Sequence, residues 1–341
     1  MLFAAPLLLL LIAGVTNVSG HSARSIMRGL RYLVAAELIL LVLLAAIGAT
    51  YEARSRSRDR RLYQPPGKLV DIGGYKLHLY CSGSGSPTVV LDYGLEGSYL
   101  DWRRVQPEVA RFTRVCSYDR GGYGWSDPSP KPRTPAAMME ELHALLAAAG
   151  EKPPYIVVGH SYGGYDALTY AHKFPDETAA VVLVDSSHPD YKLPFDMRRK
   201  LWLRFLQFSM PFGLPRWRGW CGDRSSEIGQ IKTAFSCQIR VPVTAYAHWI
   251  AFDESAEDVR KLGLLGDRPL VVVSRDPNRP QERQQKWRLL QEDFLKLSTN
   301  STLVIAEGSS HDVPGDRPDV VVEAIRKLAL GLRRQALGLN N

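Results

Sequence analysis

The chain is poor in cysteine, in paired metal-ligand motifs and in internal repetition, and each shortage closes off a class of protein. Its four cysteines, Cys81, Cys116, Cys221 and Cys237, form no C-x-x-C pair, so neither a structural zinc site nor a disulfide-framed scaffold is expected. Only Cys221 and Cys237 lie near enough in sequence to suggest a bridge. No Gly-X-Y period, heptad run or fixed-period repeat is visible, which excludes collagen, coiled coil and solenoid. What is present is ordinary for a globular protein: 341 residues, 45% hydrophobic and 23% charged, enough apolar side chain for a packed core and too little charge for a disordered chain.

Basic charge is also scarce where nucleic acid would need it. The net charge is +8, but residues 1–61 hold eight arginines against Glu37, Glu52 and Asp59, a net of +5. Only +3 is left over the other 280 residues, so no nucleic-acid partner is expected. The same N-terminal region, 1–61, carries two apolar runs, residues 2–18 and 33–50, with Arg24, Arg28 and Arg31 between them. At 1.5 Å per residue the second run covers about 27 Å, close to the roughly 30 Å hydrocarbon core of a bilayer. Residues 38–47 are apolar all round and lack the polar face of a core helix. The run therefore reads as a transmembrane helix with the lipid bilayer as its partner. The first run reads as a second span, as a signal-like segment, or, if Met27 is the true start, as untranslated sequence. Arg54, Arg56, Arg58, Arg60 and Arg61 follow the span, against Arg28 and Arg31 before it if Met27 is the start. With two spans the same five would hold the C-terminal domain inside, so the positive-inside rule tilts that domain to the cytoplasmic side.

After Gln64-Pro65-Pro66-Gly67 the pattern changes to short β-type runs. Residues 68–72 and 75–81 flank Gly73-Gly74 as a hairpin, and 88–92, 114–118, 155–158, 180–185, 270–274 and 302–306 read as further strands. Helical patterns at 135–149, 163–174 and 318–334 alternate with them. Residues 62–341 are thus expected to form an α/β domain, a mostly parallel sheet with helices on both faces and its ligand site at the carboxyl ends of the strands. Residues 188–267 are too long for a simple crossover and read as an insertion.

One segment carries chemistry: Tyr155-Ile-Val-Val-Gly159-His160-Ser161-Tyr162-Gly163-Gly164, a strand, then G-x-S-x-G, then a helix. The glycines allow a tight turn that exposes the Ser161 hydroxyl, and the helix N-terminus points at it. A serine nucleophile needs a base. Of the eight histidines, His21 is outside the domain, His143 and His172 lie in helices, and His78 alternates with Lys76 on an exposed strand face. His160 is in the turn itself, His188 comes too early and His248 falls in the insertion. His311, in Glu307-Gly-Ser-Ser-His-Asp after the last strand, is the expected base. The third member should be a carboxylate at another strand end. Asp276 keeps the chain order Ser, Asp, His, and Asp185 is the alternative, whereas Asp312 is not expected to fold back onto its neighbour.

From about Gly67 onward the chain resembles the α/β-hydrolase superfamily. Val90-Leu-Asp-Tyr93-Gly94-Leu95-Glu-Gly97-Ser98 is similar to that family's oxyanion loop, and Ser117-Tyr-Asp119-Arg120-Gly-Gly122-Tyr-Gly124-Trp-Ser126 to its strand-four loop; the Ser161 elbow and the His311 loop follow in order. The resemblance implies an oxyanion hole formed by the backbone N–H groups of Tyr162 and Leu95, and a helical cap at 188–267. It also implies hydrolysis of a small-molecule carboxylic ester or thioester without metal or organic cofactor. The large apolar side chains at 201–208, with Trp217 and Trp220, fit a lid lining an acyl pocket or leaning on the nearby bilayer, or plain packing of cap on core, and incline the reading towards an apolar substrate. Tyr93 stands where many members carry histidine. Asp276 sits in Ser-Arg-Asp-Pro-Asn rather than a Gly-x-x-Asp turn, which keeps Asp185 open as the acid. Serine at the elbow argues against the dehalogenase and epoxide hydrolase branches. Amide hydrolysis, acyl transfer and a catalytically silent binding protein of the same fold are the rival readings.

Overall fold

The structure, a computed structural model of the chain, describes residues 20–192, 195–276 and 282–339. The apolar run at 2–18 lies outside the described residues. In chain order the main elements are α1 (Gly20–Leu62), β1 (Lys68–Asp71), β2 (Lys76–Ser82), β3 (Thr88–Asp92), β4 (Val115–Tyr118), α2 (Pro135–Ala149), β5 (Tyr155–His160), α3 (Gly163–Lys173), β6 (Thr178–Val184), α4 (Met197–Ser209), α5 (Glu227–Ser236), α6 (Arg240–Ile250), α7 (Phe252–Arg260), β7 (Leu270–Arg275), α8 (Glu282–Asp293), β8 (Ser301–Ala306) and α9 (Pro318–Ala336).

Eight strands form one sheet in the order β1-β2-β4-β3-β5-β6-β7-β8. The β1/β2 and β2/β4 pairs are antiparallel and every pair from β4 to β8 is parallel. The Asp71 carboxylate accepts from the N–H groups of Gly73 and Gly74 at 2.8 and 2.9 Å, which fixes the first hairpin turn. The central strands β3, β4 and β5 are buried at every position because both faces are covered: Tyr155 and Val157 enter one core layer while Ile156 and Val158 enter the other. Met138, Leu142 and Leu145 of α2 pack on the first layer and Val321, Ile325 and Ala329 of α9 on the second, each set at helical spacing. The sheet order places β5 between β3 and β6, so whatever follows β5 is flanked by the ends of both neighbours.

Two sequence expectations fail here for one reason. His78 is not exposed; it is fully buried, with Nδ1 2.8 Å from the Asp119 carboxylate. Cys81 and Cys116, for which spacing suggests no bridge, are bonded to each other, while Cys221 and Cys237 form the bridge their spacing suggests. The sheet skips β3 and sets β4 beside β2, in a register that puts Cys81 opposite Cys116. A separation of 35 residues hides that contact from any local reading.

Between β6 and β7 the chain makes the helices α4 to α7, and α1 returns to pack on them. The Arg216 guanidinium, 3% exposed, pairs with Glu52 at 2.8 Å and Asp59 at 2.7 Å, both on α1. The Tyr63 hydroxyl donates to Gln230 at 2.8 Å. Gly48 approaches so closely that a Cβ there would stand 2.3 Å from the Phe212 carbonyl oxygen. An 18-residue window of α1 is apolar enough to cross a membrane, and none of it is buried by the rest of the protein.

Candidate active site

The turn after β5 holds Ser161 at φ +53°, the left-handed region that a serine adopts only when its surroundings impose it. They do so here by close packing. A Cβ at Gly159 would fall 2.0 Å from the Gly163 carbonyl oxygen, and one at Gly163 would fall 2.5 Å from that of Asp92. The turn is stitched to the end of β6, with Ser161 N–H donating to Val184 at 3.1 Å and Ser187 N–H donating to Ser161 at 2.9 Å. Strain and stitching together lift the hydroxyl above the sheet.

His311 meets it there. Its Nε2 lies 2.9 Å from Ser161 Oγ and its Nδ1 lies 2.5 Å from Asp185 Oδ2. In the neutral ring, a Nδ1–H donated to the carboxylate leaves Nε2 to accept the serine proton. The backbone of the base is held as well, since His160 Nε2 donates to the His311 carbonyl at 2.7 Å. Burial, with the nearby His311 charge as a second cause, lowers the pKa of His160 to about 4, so that ring is neutral at pH 7.

The carboxylate beside His311 is that of Asp185 and not that of Asp276. Asp185 follows β6, next to the elbow strand, and is fully buried; Trp287 Nε1–H at 2.7 Å and Arg275 N–H at 3.2 Å donate to its other oxygen. Asp276 lies beyond β7, one strand farther from Ser161, and accepts from the Gly308 N–H at 2.9 Å, which pins the loop that carries His311. Both residues preserve the chain order Ser, Asp, His. The difference lies in how far the loop after β8 swings across the strand ends, a tertiary fact with no local sequence mark.

The expected oxyanion donors are also in this corner. A Cβ at Gly94 would sit 3.0 Å from the Ser161 Cβ, so the loop carrying Leu95 runs directly against the nucleophile. Among the described residues, the N–H groups of Leu95 and Tyr162 donate no backbone hydrogen bond. Arg120, which the sequence reading passed over inside its motif, organises the loop. Its guanidinium, 3% exposed, donates to the carbonyl of Gly94 at 2.9 Å and to that of Tyr93, and it pairs with Asp92 at 2.5 Å and Asp166 at 3.0 Å. One buried cation thus ties the loop after β3 to α3, the helix that follows the elbow. Burial pushes the carboxyls of Asp92 and Asp166 up, and the neighbouring guanidinium opposes that push. Tyr93 donates to Asp312 at 2.7 Å and so joins the loop after β3 to the loop that carries His311. The available signal for Arg120 was an arginine at a strand end between short glycine turns, with two acids placed at other strand and helix ends to meet it.

The one cluster of metal-ligand atoms among the described residues, Cys81, Cys116 and Glu151, offers no free thiolate: the sulfurs are bonded to each other and Glu151 pairs with Arg114 at 2.6 Å.

Comparison with known proteins agrees with this fold. Residues 87–219 match the family model described as the alpha/beta hydrolase fold. The uncharacterised protein YqjL of Bacillus subtilis is 26% identical over 275 residues, covering 80% of this chain and 95% of its own length. YbdG, an uncharacterised protein of the same bacterium, is 28% identical over 168 residues; the match covers 48% of this chain and only 52% of YbdG. Among solved structures, a thermophilic esterase from Thermogutta terrifontis superposes with a TM-score of 0.55 at 22% identity, covering 78% of this chain and 97% of that one.

Proposed function

Because this chain belongs to the α/β-hydrolase fold superfamily, we propose that it is a serine hydrolase that cleaves carboxylic esters or thioesters, with Ser161, His311 and Asp185 as its catalytic triad. The observation that carries the reading is the unbroken relay from Ser161 Oγ through the His311 ring to Asp185, at 2.9 and 2.5 Å. Ser161 Oγ attacks the acyl carbonyl while His311 Nε2 takes the hydroxyl proton. The imidazolium that forms is stabilised by Asp185, and the oxyanion accepts from the N–H groups of Tyr162 and Leu95. Collapse of the tetrahedral intermediate expels the alcohol or thiol, which leaves with the proton from His311. Water then attacks the acyl-enzyme, giving its proton to His311, and the acid departs as Ser161 recovers its own. Residues 33–50 of α1 hold the enzyme at a bilayer in this reading.

A fluorophosphonate probe tests it. Purified protein should gain one adduct by intact mass and hydrolyse p-nitrophenyl esters, and Ser161→Ala should lose both. A folded wild-type protein that takes no adduct, or an adduct that survives in Ser161→Ala, would overturn the reading.

A further inference from the structure

Helix α4 is amphipathic the wrong way round for a helix buried against a core. Met197, Leu201, Phe205 and Phe208, followed by Phe212 in the next turn, recur at intervals of four and three residues along one face, and Phe208 is 72% exposed. Leu203 points the other way and is buried. Trp202, Phe205 and Trp220 widen the stripe into a cluster, with ring centroids 5.0 to 6.1 Å apart. Trp217, 65% exposed, lies alongside. Arg218 lies beside the Trp217 and Trp220 rings, 5.8 and 5.6 Å from their centroids, whereas Arg199, Lys200 and Arg204 turn inward over Trp249, Phe195 and Tyr246. A contiguous stripe of exposed aromatic and aliphatic side chains on a helix whose other face packs on the domain is the pattern of a helix that lies in a membrane interface.

The position of the stripe says what covers it. The Phe212 carbonyl touches α1 at Gly48, two residues inside the end of the apolar run, or about 3 Å along the axis. The Arg216 clamp to Glu52 and Asp59 fixes that contact. If residues 33–50 span the bilayer, as the reading above holds, the aromatic cluster begins at the level where the hydrocarbon ends. We propose that the exposed face of α4, with Trp217 and Trp220, docks into the interfacial layer of the same bilayer that α1 crosses, its aromatic rings at the headgroup level. The domain is then held to the membrane at two adjacent places.

Full-length protein in liposomes containing phosphatidylcholine brominated at shallow or deep acyl positions tests this through tryptophan emission. Shallow bromines should quench more than deep ones, and W202F/W217F/W220F should lose at least half of that quenching. Quenching untouched by the triple substitution, equal at both depths, or replaced by a cross-linked dimer that shields the same rings would overturn the proposal. Fluorophosphonate labelling of the triple variant reports folding, and failure of all labelling would sink the hydrolase reading while leaving the quenching result standing.

The disulfides carry a second inference independently. All four cysteines are paired, and Cys116 and Cys237 are fully buried. Bridges of this kind form and persist in oxidising compartments and are rare where thiols are kept reduced. We infer that the hydrolase domain lies on the oxidising, extracytoplasmic side of its membrane, opposite to the side that the arginines after α1's apolar run suggest. That run biases insertion, whereas structural disulfides require an oxidant. Cells quenched in acid and alkylated with a maleimide polymer before and after reduction should show no shift and then a shift of four, and protease should digest the domain in sealed right-side-out vesicles. Four reactive thiols without reduction, or a protected domain, would overturn it.

Discussion

At the scale of single residues Ser161 and His311, the proposed nucleophile and base, could be picked out because each sits in a local pattern: a serine between glycines after a strand, and a histidine in the loop after the last strand. The acid was less legible. Asp185 and Asp276 are both strand-end carboxylates, and which one meets His311 depends on strand order and on Trp287 and the Arg275 N–H, which arrive from elsewhere to satisfy the other oxygen of Asp185. Asp185→Asn is expected to lower kcat by about three to four orders of magnitude, because the imidazole loses its tautomeric control and its counter-charge. Asp276→Asn should cost less than about tenfold, since an amide oxygen can still accept from Gly308 N–H. Steady-state ester kinetics on the two variants decide it, and a larger loss at Asp276 would return the acid to that position.

At the scale of elements, the sheet strands are visible as apolar runs because each is buried on both faces, and α2 and α9 show their core-facing stripes. The return of α1 onto the inserted helices is not visible, because Arg216 and its partners Glu52 and Asp59 lie more than 150 residues apart, with separations of 164 and 157. That contact is buried and charged on both sides. Replacing Arg216 with Ala leaves Asp59 without this partner and Glu52 with Arg56 at 3.4 Å, and is expected to weaken the docking of α1 by up to about 3 kcal/mol. Hydrogen–deuterium exchange should then speed up at 210–220 and 50–60 while the central strands stay protected. Exchange unchanged in both segments would mean that Gly48 and Phe212 hold the junction without the clamp.

For the whole molecule, the alternation of strands and helices was enough to give the fold, and two cross-chain facts were not: the skip of β3 that joins Cys81 to Cys116, and the neutral buried histidines that pack under the loops. Burial lowers the pKa of His188 and His248 as well as His160. The unfolded chain takes up a proton at His160 below about pH 6.5, which the folded chain refuses until about pH 4. The stability from this residue is therefore complete above pH 6.5 and is lost as pH falls through that window, by up to about 3 kcal/mol. His160→Gln keeps an N–H for the His311 carbonyl and removes the titration. Urea unfolding of the two proteins between pH 7.5 and 4 should give curves whose gap changes by that amount, and parallel curves would show that His160 titrates alike in both states.

Helix α1 runs without a break through 43 residues, about 64 Å, from the far side of its apolar run into the body of the domain. A continuous helix transmits rotation as well as distance. Each residue added between the apolar run and the clamp would turn the catalytic domain by about 100° around the axis while lifting it by only 1.5 Å. Spacing in this protein is therefore a matter of phase. Two added residues would face the mouth of the site nearly backwards, and seven would bring it almost round again at a height of about 10 Å, so under the proposed anchoring α1 is a keyed shaft that sets the heading of the domain over the bilayer.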